Sequence, residues 1–170
     1  MKIGIIADTH FNDDDNKINE FITKLKIAFK DVDEIIHAGD VCSQQFLNEL
    51  KKIAPTRCVK GNLDDIKGLE DFIEFTVGLY NIGVIHKLPE NVEEFAKKHN
   101  LNILIHGHTH RPLIKGTEYN VLLLNPGSPT KPKTPLKKPG FRTPIARPSV
   151  MTLNIDENNI LSTFIINLKL

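Results

Sequence analysis

Cysteine is scarce in this chain. Of its 170 residues, only Cys42 and Cys58 are thiols. Their spacing matches no cysteine-type metal site, and so small a number suits a reduced, cytoplasmic protein better than a disulfide framework. Long apolar runs are missing too. No stretch approaches the roughly 18 residues of a membrane helix. The apolar part of Met1-Lys2-Ile3-Gly4-Ile5-Ile6-Ala7-Asp8 is too short for a signal peptide. There is no internal repeat, which excludes solenoids. Net charge is nearly absent, at +1, so global charge points to neither nucleic acid nor a membrane surface as partner. What remains is ordinary for a globular protein, with 40% hydrophobic and 25% charged residues. A single domain spanning 1–170 with a sizeable core is expected.

The most informative stretch is Ile103-Leu104-Ile105-His106-Gly107-His108-Thr109-His110. A short apolar run predicts a buried strand, with Ile103 and Ile105 on one side and Leu104 and His106 on the other. Gly107 allows a tight turn. His108 and His110 can then aim two imidazoles, the commonest protein metal ligand, into one pocket. Such a pair needs partners at other strand ends.

The chain supplies them in order. A strand over residues 2–7 ends in Asp8-Thr9-His10. The acidic run Asp13, Asp14 and Asp15 reads as a solvated loop leading into a helix start, not as a metal site. Ile18, Phe21, Ile22, Leu25, Ala28 and Phe29 then recur at helical spacing. A second strand, residues 34–38, ends in Gly39-Asp40, with His37 read as a core histidine. Ser43 caps a helix carrying Phe46, Leu47, Leu50 and Ile53, and Pro55 closes it. A short strand at 57–59 precedes Gly61-Asn62-Leu63-Asp64-Asp65. Residues 72–77 and 80–85 predict an antiparallel pair that ends at His86. Asn91 and Glu94 are spaced as a capping box, and His99 reads as a surface residue. Strands at 113–114 and 119–124 follow, then Asn125-Pro126-Gly127-Ser128. Residues 126–148 hold seven of the ten prolines. They also hold Lys131, Lys133, Lys137, Lys138, Arg142 and Arg147, with no acidic residue. This predicts an irregular surface excursion. A hairpin over 150–168 closes the chain.

Strands alternating with helices suggest a parallel sheet, whose ligands gather beyond its carboxyl ends. Asp8, His10, Asp40, Asn62, His86, His108 and His110 can therefore converge. Seven oxygen and nitrogen donors exceed the needs of one small divalent ion and suit two ions sharing a carboxylate. Without thiolate, the set favours Mn²⁺, Fe²⁺, Zn²⁺, Co²⁺ or Ni²⁺. Two such ions about 3.5–4 Å apart can hold a hydroxide and clamp a phosphoryl oxygen.

Asp8-x-His10, Gly39-Asp40, Gly61-Asn62-x-Asp64, His86 and Gly107-His108-x-His110, in that order, resemble the calcineurin-like metallophosphoesterase superfamily. The short length and Asn125-Pro126-Gly127-Ser128 look like its small bacterial and archaeal phosphodiesterase branch. The resemblance implies a four-layer αββα sandwich of two mixed sheets flanked by helices. It implies that Asp8, His10 and His110 hold one ion, that Asn62, His86 and His108 hold another, and that Asp40 bridges. It also implies catalytic roles for Asp40, Asn62 and His108, and a hydroxide between the ions as nucleophile. The chain departs from the family in two places. Leu63 stands where many members have a histidine that assists the leaving group, and Lys87 stands where glycine usually follows the His86 equivalent.

The expectation is a phosphodiesterase with two divalent ions and a phosphoester substrate, and no membrane. A homo-oligomer is left open. A non-catalytic interaction scaffold on the same fold is the alternative, but a scaffold need not keep seven ligands. A nuclease is a further alternative, suggested by the basic excursion. The small net charge does not favour it.

Overall fold

The computed structural model describes residues 1–13 and 16–169. Asp14 and Asp15 of the acidic run therefore lie outside the described residues. Ten strands form two five-stranded sheets. The first has the order β10-β9-β1-β2-β3, built from β1 (Lys2–Ile6), β2 (Glu34–His37), β3 (Thr56–Cys58), β9 (Ser149–Ile155) and β10 (Leu161–Asn167). The second has the order β4-β5-β6-β8-β7, from β4 (Phe72–Val77), β5 (Tyr80–Ile85), β6 (Ile103–His106), β7 (Pro112–Gly116) and β8 (Leu122–Pro126). Both sheets are mixed. β1, β2 and β3 are parallel to one another, and so are β5, β6 and β8.

The strand periodicity explains the layers. On β1, Ile3 and Ile5 point into a core shared by the two sheets, where they meet Ile82, Val84, Ile103, Ile105 and Leu153. Ile6 points the other way, into a second core under α1 (Ile18–Ala28) and α2 (Gln44–Ile53). A strand covered on both faces must be apolar throughout, which is why β1 carries no polar residue after Lys2. β6 repeats the pattern. Ile103 and Ile105 face the shared core, and Leu104 faces a third core under α3 (Val92–Lys98). The result is the expected αββα sandwich.

Several local expectations need correction. The strand expected at 119–124 begins later, at Leu122, because Asn120 takes a left-handed turn conformation (φ 60°) and Thr117 bonds across the turn to Val121. Asp13 does not serve the start of α1. Its carboxylate accepts from Ser43 Oγ at 2.6 Å and Gln45 N at 3.0 Å, at the start of α2. His99 is not a plain surface residue. Its ring lies 4.7 Å from the ring centres of both Phe72 and Phe95, and its Nδ1 is 2.9 Å from Glu74. His37 is fully buried, as expected, with Nε2 3.1 Å from Thr9 Oγ1. Residues 127–148 carry neither helix nor strand.

Strand register aligns the ends that carry the polar residues. Ile6 pairs with His37, and His37 with Cys58. In the other sheet Ile85 pairs with His106. The carboxyl ends of three strands are thus level within one sheet, and those of two more within the other.

Candidate metal centre

The first sheet delivers Asp8 and His10 after β1, Asp40 after β2 and Asn62 after β3. The second delivers His86 after β5 and both His108 and His110 after β6. The strand ends share an unusual backbone. Asp8, His10, Asp40, Cys42, His108 and His110 all have positive φ, between 47° and 67°. Left-handed conformations are uncommon for residues other than glycine, and cost roughly 1–3 kcal/mol each when held by the surroundings. Here they alternate with one ordinary residue, so each strand end throws two side chains into the same space. Hydrogen bonds lock the ends together: Asp8 N donates to Gly39 O at 3.0 Å, and His10 N to Asp40 O at 3.1 Å.

Glycine is required at two of these ends. Gly39 has φ 87°, and a Cβ there would lie 2.6 Å from His86 Nδ1. Gly107 follows β6 with its φ outside the left-handed region. A Cβ there would lie 2.9 Å from Asp8 Oδ2 and 2.8 Å from Ala38 O, so its purpose is to let the first sheet approach.

Two groups of donors converge. Asp8, His10 and His110 form one, and Asp8, Asp40 and His86 the other; within each, the ligand atoms all lie within 4.8 Å of one another. Asp8 belongs to both. His10 Nε2 and His110 Nε2 face each other at 3.2 Å. Asp40 Oδ2 lies 3.9 Å from His10 Nε2 and 3.4 Å from His86 Nε2. The imidazoles are held from behind. His110 Nδ1 donates to Lys131 O at 2.7 Å, and His86 Nδ1 to Ala38 O at 2.8 Å. Each bond leaves the Nε2 lone pair aimed inward, as a metal-binding histidine requires.

His108 and Asn62 are not part of either close group. Both side chains are exposed. The His108 ring stands 5.3 Å from the His86 ring, and its backbone N donates to Asp8 Oδ1 at 3.1 Å. Asn62 sits in the loop where Leu63 N donates to Asp40 Oδ1 at 2.8 Å.

Charge is divided unequally between the carboxylates. Burial, reinforced by the neighbouring Asp40 charge, pushes the Asp8 carboxyl up to about 7. Burial also opposes ionisation of Asp40, but His86, the Leu63 N–H and His10 overcome it and bring that carboxyl down to about 2. Burial pulls His10 down to about 4 and lowers His108 and His110. His86 goes the other way: burial is outweighed by Asp40 and the Ala38 carbonyl, and its imidazole is raised. Four buried side-chain atoms have no hydrogen-bond partner among the described residues, and two of them belong to the donor groups: Asp8 Oδ2 and His86 Nε2, alongside His37 Nδ1 and His106 Nε2. Partnerless buried polar atoms are costly, and a divalent cation is the partner that this carboxylate and imidazole set accepts. The residues therefore fit a metal.

The family model for the calcineurin-like phosphoesterase superfamily domain matches residues 1–156. The chain belongs to that superfamily. A protein of Methanothermobacter thermautotrophicus named probable metallophosphoesterase is 37% identical over 164 residues, covering 92% of this chain and 87% of its own. An archaeal phosphodiesterase of known structure is 26% identical, with a TM-score of 0.67 over 98% of this chain and 100% of its own. Vps29 from Entamoeba histolytica, solved with Zn²⁺, has a TM-score of 0.71 over 98% of this chain and 99% of its own. At 22% identity it shows the fold alone. Membership makes the protein a metal-dependent phosphoesterase, and its two donor groups accord with divalent metal use.

Three motif residues to which the sequence assigned no role support the centre. Buried Asp64 accepts from the backbone N–H groups of Asp40 (2.9 Å), Cys42 (2.7 Å) and Gly61 (2.8 Å). Buried Asn125 donates to Gly107 O at 2.8 Å and reaches His106 Nδ1 at 3.1 Å. Ser128 Oγ donates to Asp8 O at 2.7 Å. Their only sequence signal is an aspartate two residues after Asn62 and a polar Asn125-x-x-Ser128 pair after a strand. Asp64→Ala removes a charged acceptor from three backbone donors and is expected to cost about 2–4 kcal/mol of stability. Urea unfolding of the metal-free protein measures this; a loss below about 0.5 kcal/mol would show that water replaces the carboxylate.

Proposed function

We propose that the protein is a phosphodiesterase with a centre for two divalent ions. In this reading Asp8, His10 and His110 hold one ion, and His86, Asn62 and His108 hold the other. Asp40 lies between them. The donor chemistry suits Mn²⁺, Fe²⁺, Co²⁺, Ni²⁺ or Zn²⁺. The observation that carries the reading is the pair of donor groups meeting at Asp8, with Asp8 Oδ2 and His86 Nε2 buried and unpartnered. Bound ions would supply a water made acidic near neutral pH and positive charge beside the phosphoryl oxygens.

The protein's own residues prepare this in three ways. The carbonyls of Lys131 and Ala38 fix the His110 and His86 tautomers. The Leu63 N–H and the raised His86 hold Asp40 ionised. In this reading the exposed His108 and Asn62 would also meet the substrate phosphoryl group. What the chain does not supply is a general acid at position 63. Leu63 is 64% exposed, its side chain holds no proton to give, and its N–H is committed to Asp40.

Metal uptake must displace protons from the two groups whose pKa values are raised, Asp8 and His86. Affinity should rise with pH, and calorimetry in buffers of different ionisation enthalpy should find more protons released per chain near about pH 6 than near about pH 9, where water held by the ions is the remaining source. Proton-free binding at both would contradict this assignment of ligands.

The reaction class rests on Leu63. A leaving-group acid is typically worth about 10²- to 10⁴-fold. Without one, rates should fall steeply as leaving-group pKa rises, and aryl phosphodiesters should exceed alkyl monoesters in kcat/KM. Leu63→His should flatten the dependence and help poor leaving groups most. A flat wild-type dependence, or a preference for alkyl monoesters, would show that another residue acts as the acid and refute this reading of Leu63.

A further inference from the structure

Each imidazole of the two donor groups needs a partner on its outer nitrogen. A histidine that binds a metal through Nε2 carries its proton on Nδ1, and the atom that accepts that proton fixes the ring. For His110 and His86 the acceptors are the carbonyls of Lys131 and Ala38. His10 is backed differently. Its Nε2 faces His110 Nε2 and Asp40 Oδ2. Its Nδ1 faces a thiol, Cys42 Sγ, at 3.7 Å.

The thiol is itself held in place. Cys42 N donates to Asp64 Oδ1 at 2.7 Å, which fixes the backbone beneath the side chain. The thiol hydrogen has its own acceptor, Leu63 O at 3.8 Å, and the sulfur lone pairs stay available to His10 Nδ1–H. Cys42 thereby joins His10 to the loop whose Leu63 N–H serves Asp40. Sulfur is a weak acceptor beside a carbonyl oxygen, so His10 has the softest backing of the three rings. Cys42 also lines a cavity of about 470 Å³ beside Leu63. With the sulfur removed, water from that side becomes the partner of His10 Nδ1. The other cysteine stands apart from this contact: Cys58 is buried, and its Sγ donates to Val59 O at 3.4 Å.

Building on the two-ion reading, we propose that Cys42 is a positioning residue for His10. Its sulfur accepts the Nδ1 proton, sets the ring angle, and keeps the Nε2 lone pair aimed at the ion shared with Asp8 and His110. Cys42 acts through His10 and binds neither ion itself. A residue 32 positions away in the chain thus completes the support of a metal ligand, and it does so for one of the two ions only.

Long-range ¹H–¹⁵N NMR of the Zn²⁺-loaded protein tests the contact directly. Slowly exchanging Nδ1–H protons are expected on His10, His86 and His110. Cys42→Ala should speed exchange of the His10 proton and leave the other two unchanged. Cys42→Ser restores an acceptor and should recover the slow exchange. Zn²⁺ titration against a chelating dye gives a second readout. Cys42→Ala should weaken one ion by about tenfold, the lower end for a histidine that loses its supporting partner, while Cys42→Ser stays within about threefold of the wild type. Cys58→Ala removes the other thiol and should bind as the wild type does. An unchanged His10 proton or unchanged Zn²⁺ affinity in Cys42→Ala would overturn the proposal. So would an equal loss of all three protons, which a general loosening of the fold would give. If the wild type binds a single ion, the two-ion reading fails, and the His10 proton and the affinity for that ion decide the role of Cys42.

Discussion

Two carboxylates buried within reach of one another are the constraint on which this structure depends. Asp8 is fully buried and Asp40 nearly so, and both belong to one group of donors. Bringing like charges out of water together is expensive unless each finds compensation. Asp40 finds it in the Leu63 N–H and in His86 and His10. Asp8 finds less. Its Oδ1 takes the His108 N–H, while Oδ2 has no partner among the described residues. The protein thus holds one carboxylate firmly ionised and the other near its midpoint at neutral pH. Divalent cations would relieve that imbalance by giving Asp8 Oδ2 and His86 Nε2 the partners they lack among the described residues.

The cost of this arrangement is carried by a surrounding frame. Six strand-end residues adopt left-handed backbone, which only over-determined surroundings maintain. Asp64 ties the loops after β2 and β3 to one another. Asn125, on β8, and Ser128, just after it, tie this strand end to the loops after β6 and β1. Beneath them, the core between the sheets gives the strand ends a rigid base. The site is therefore built on strands and tightened by side-chain bonds to backbone, which is how donor atoms come to be positioned closely before any ligand arrives.

Much of this was legible in the sequence, for a physical reason. A buried strand has to be apolar, so a carboxylate or imidazole directly after one stands out; Asp8, Asp40, His86 and His110 were visible on that ground. The αββα layers followed from the resemblance carried by the same motifs. The framing residues were visible as motif positions, but their role was not. Asp64 bonds to Asp40 and Cys42 more than twenty positions away, and Ser128 bonds to Asp8 across 120 positions. No local periodicity encodes such contacts. Asp13 misled for a related reason, since an acidic loop before one helix turned out to serve the start of another. Gly107 was singled out for its tight turn, though the close approach of a second sheet, which also needs it free of a Cβ, cannot be read from one strand. His99 looked like part of a lysine-rich surface until Phe72 and Phe95 closed around it.

The central claim is that the ends of two sheets form one centre for two divalent ions joined at the carboxylate pair. Anomalous scattering from crystals grown with Mn²⁺ tests it most directly. The account predicts two peaks per chain, one among Asp8, His10 and His110 and the other at His86, with Asp40 between them and at least one peak lost in Asp40→Ala. A single peak per chain at saturating Mn²⁺, or peaks remote from these residues, would contradict it.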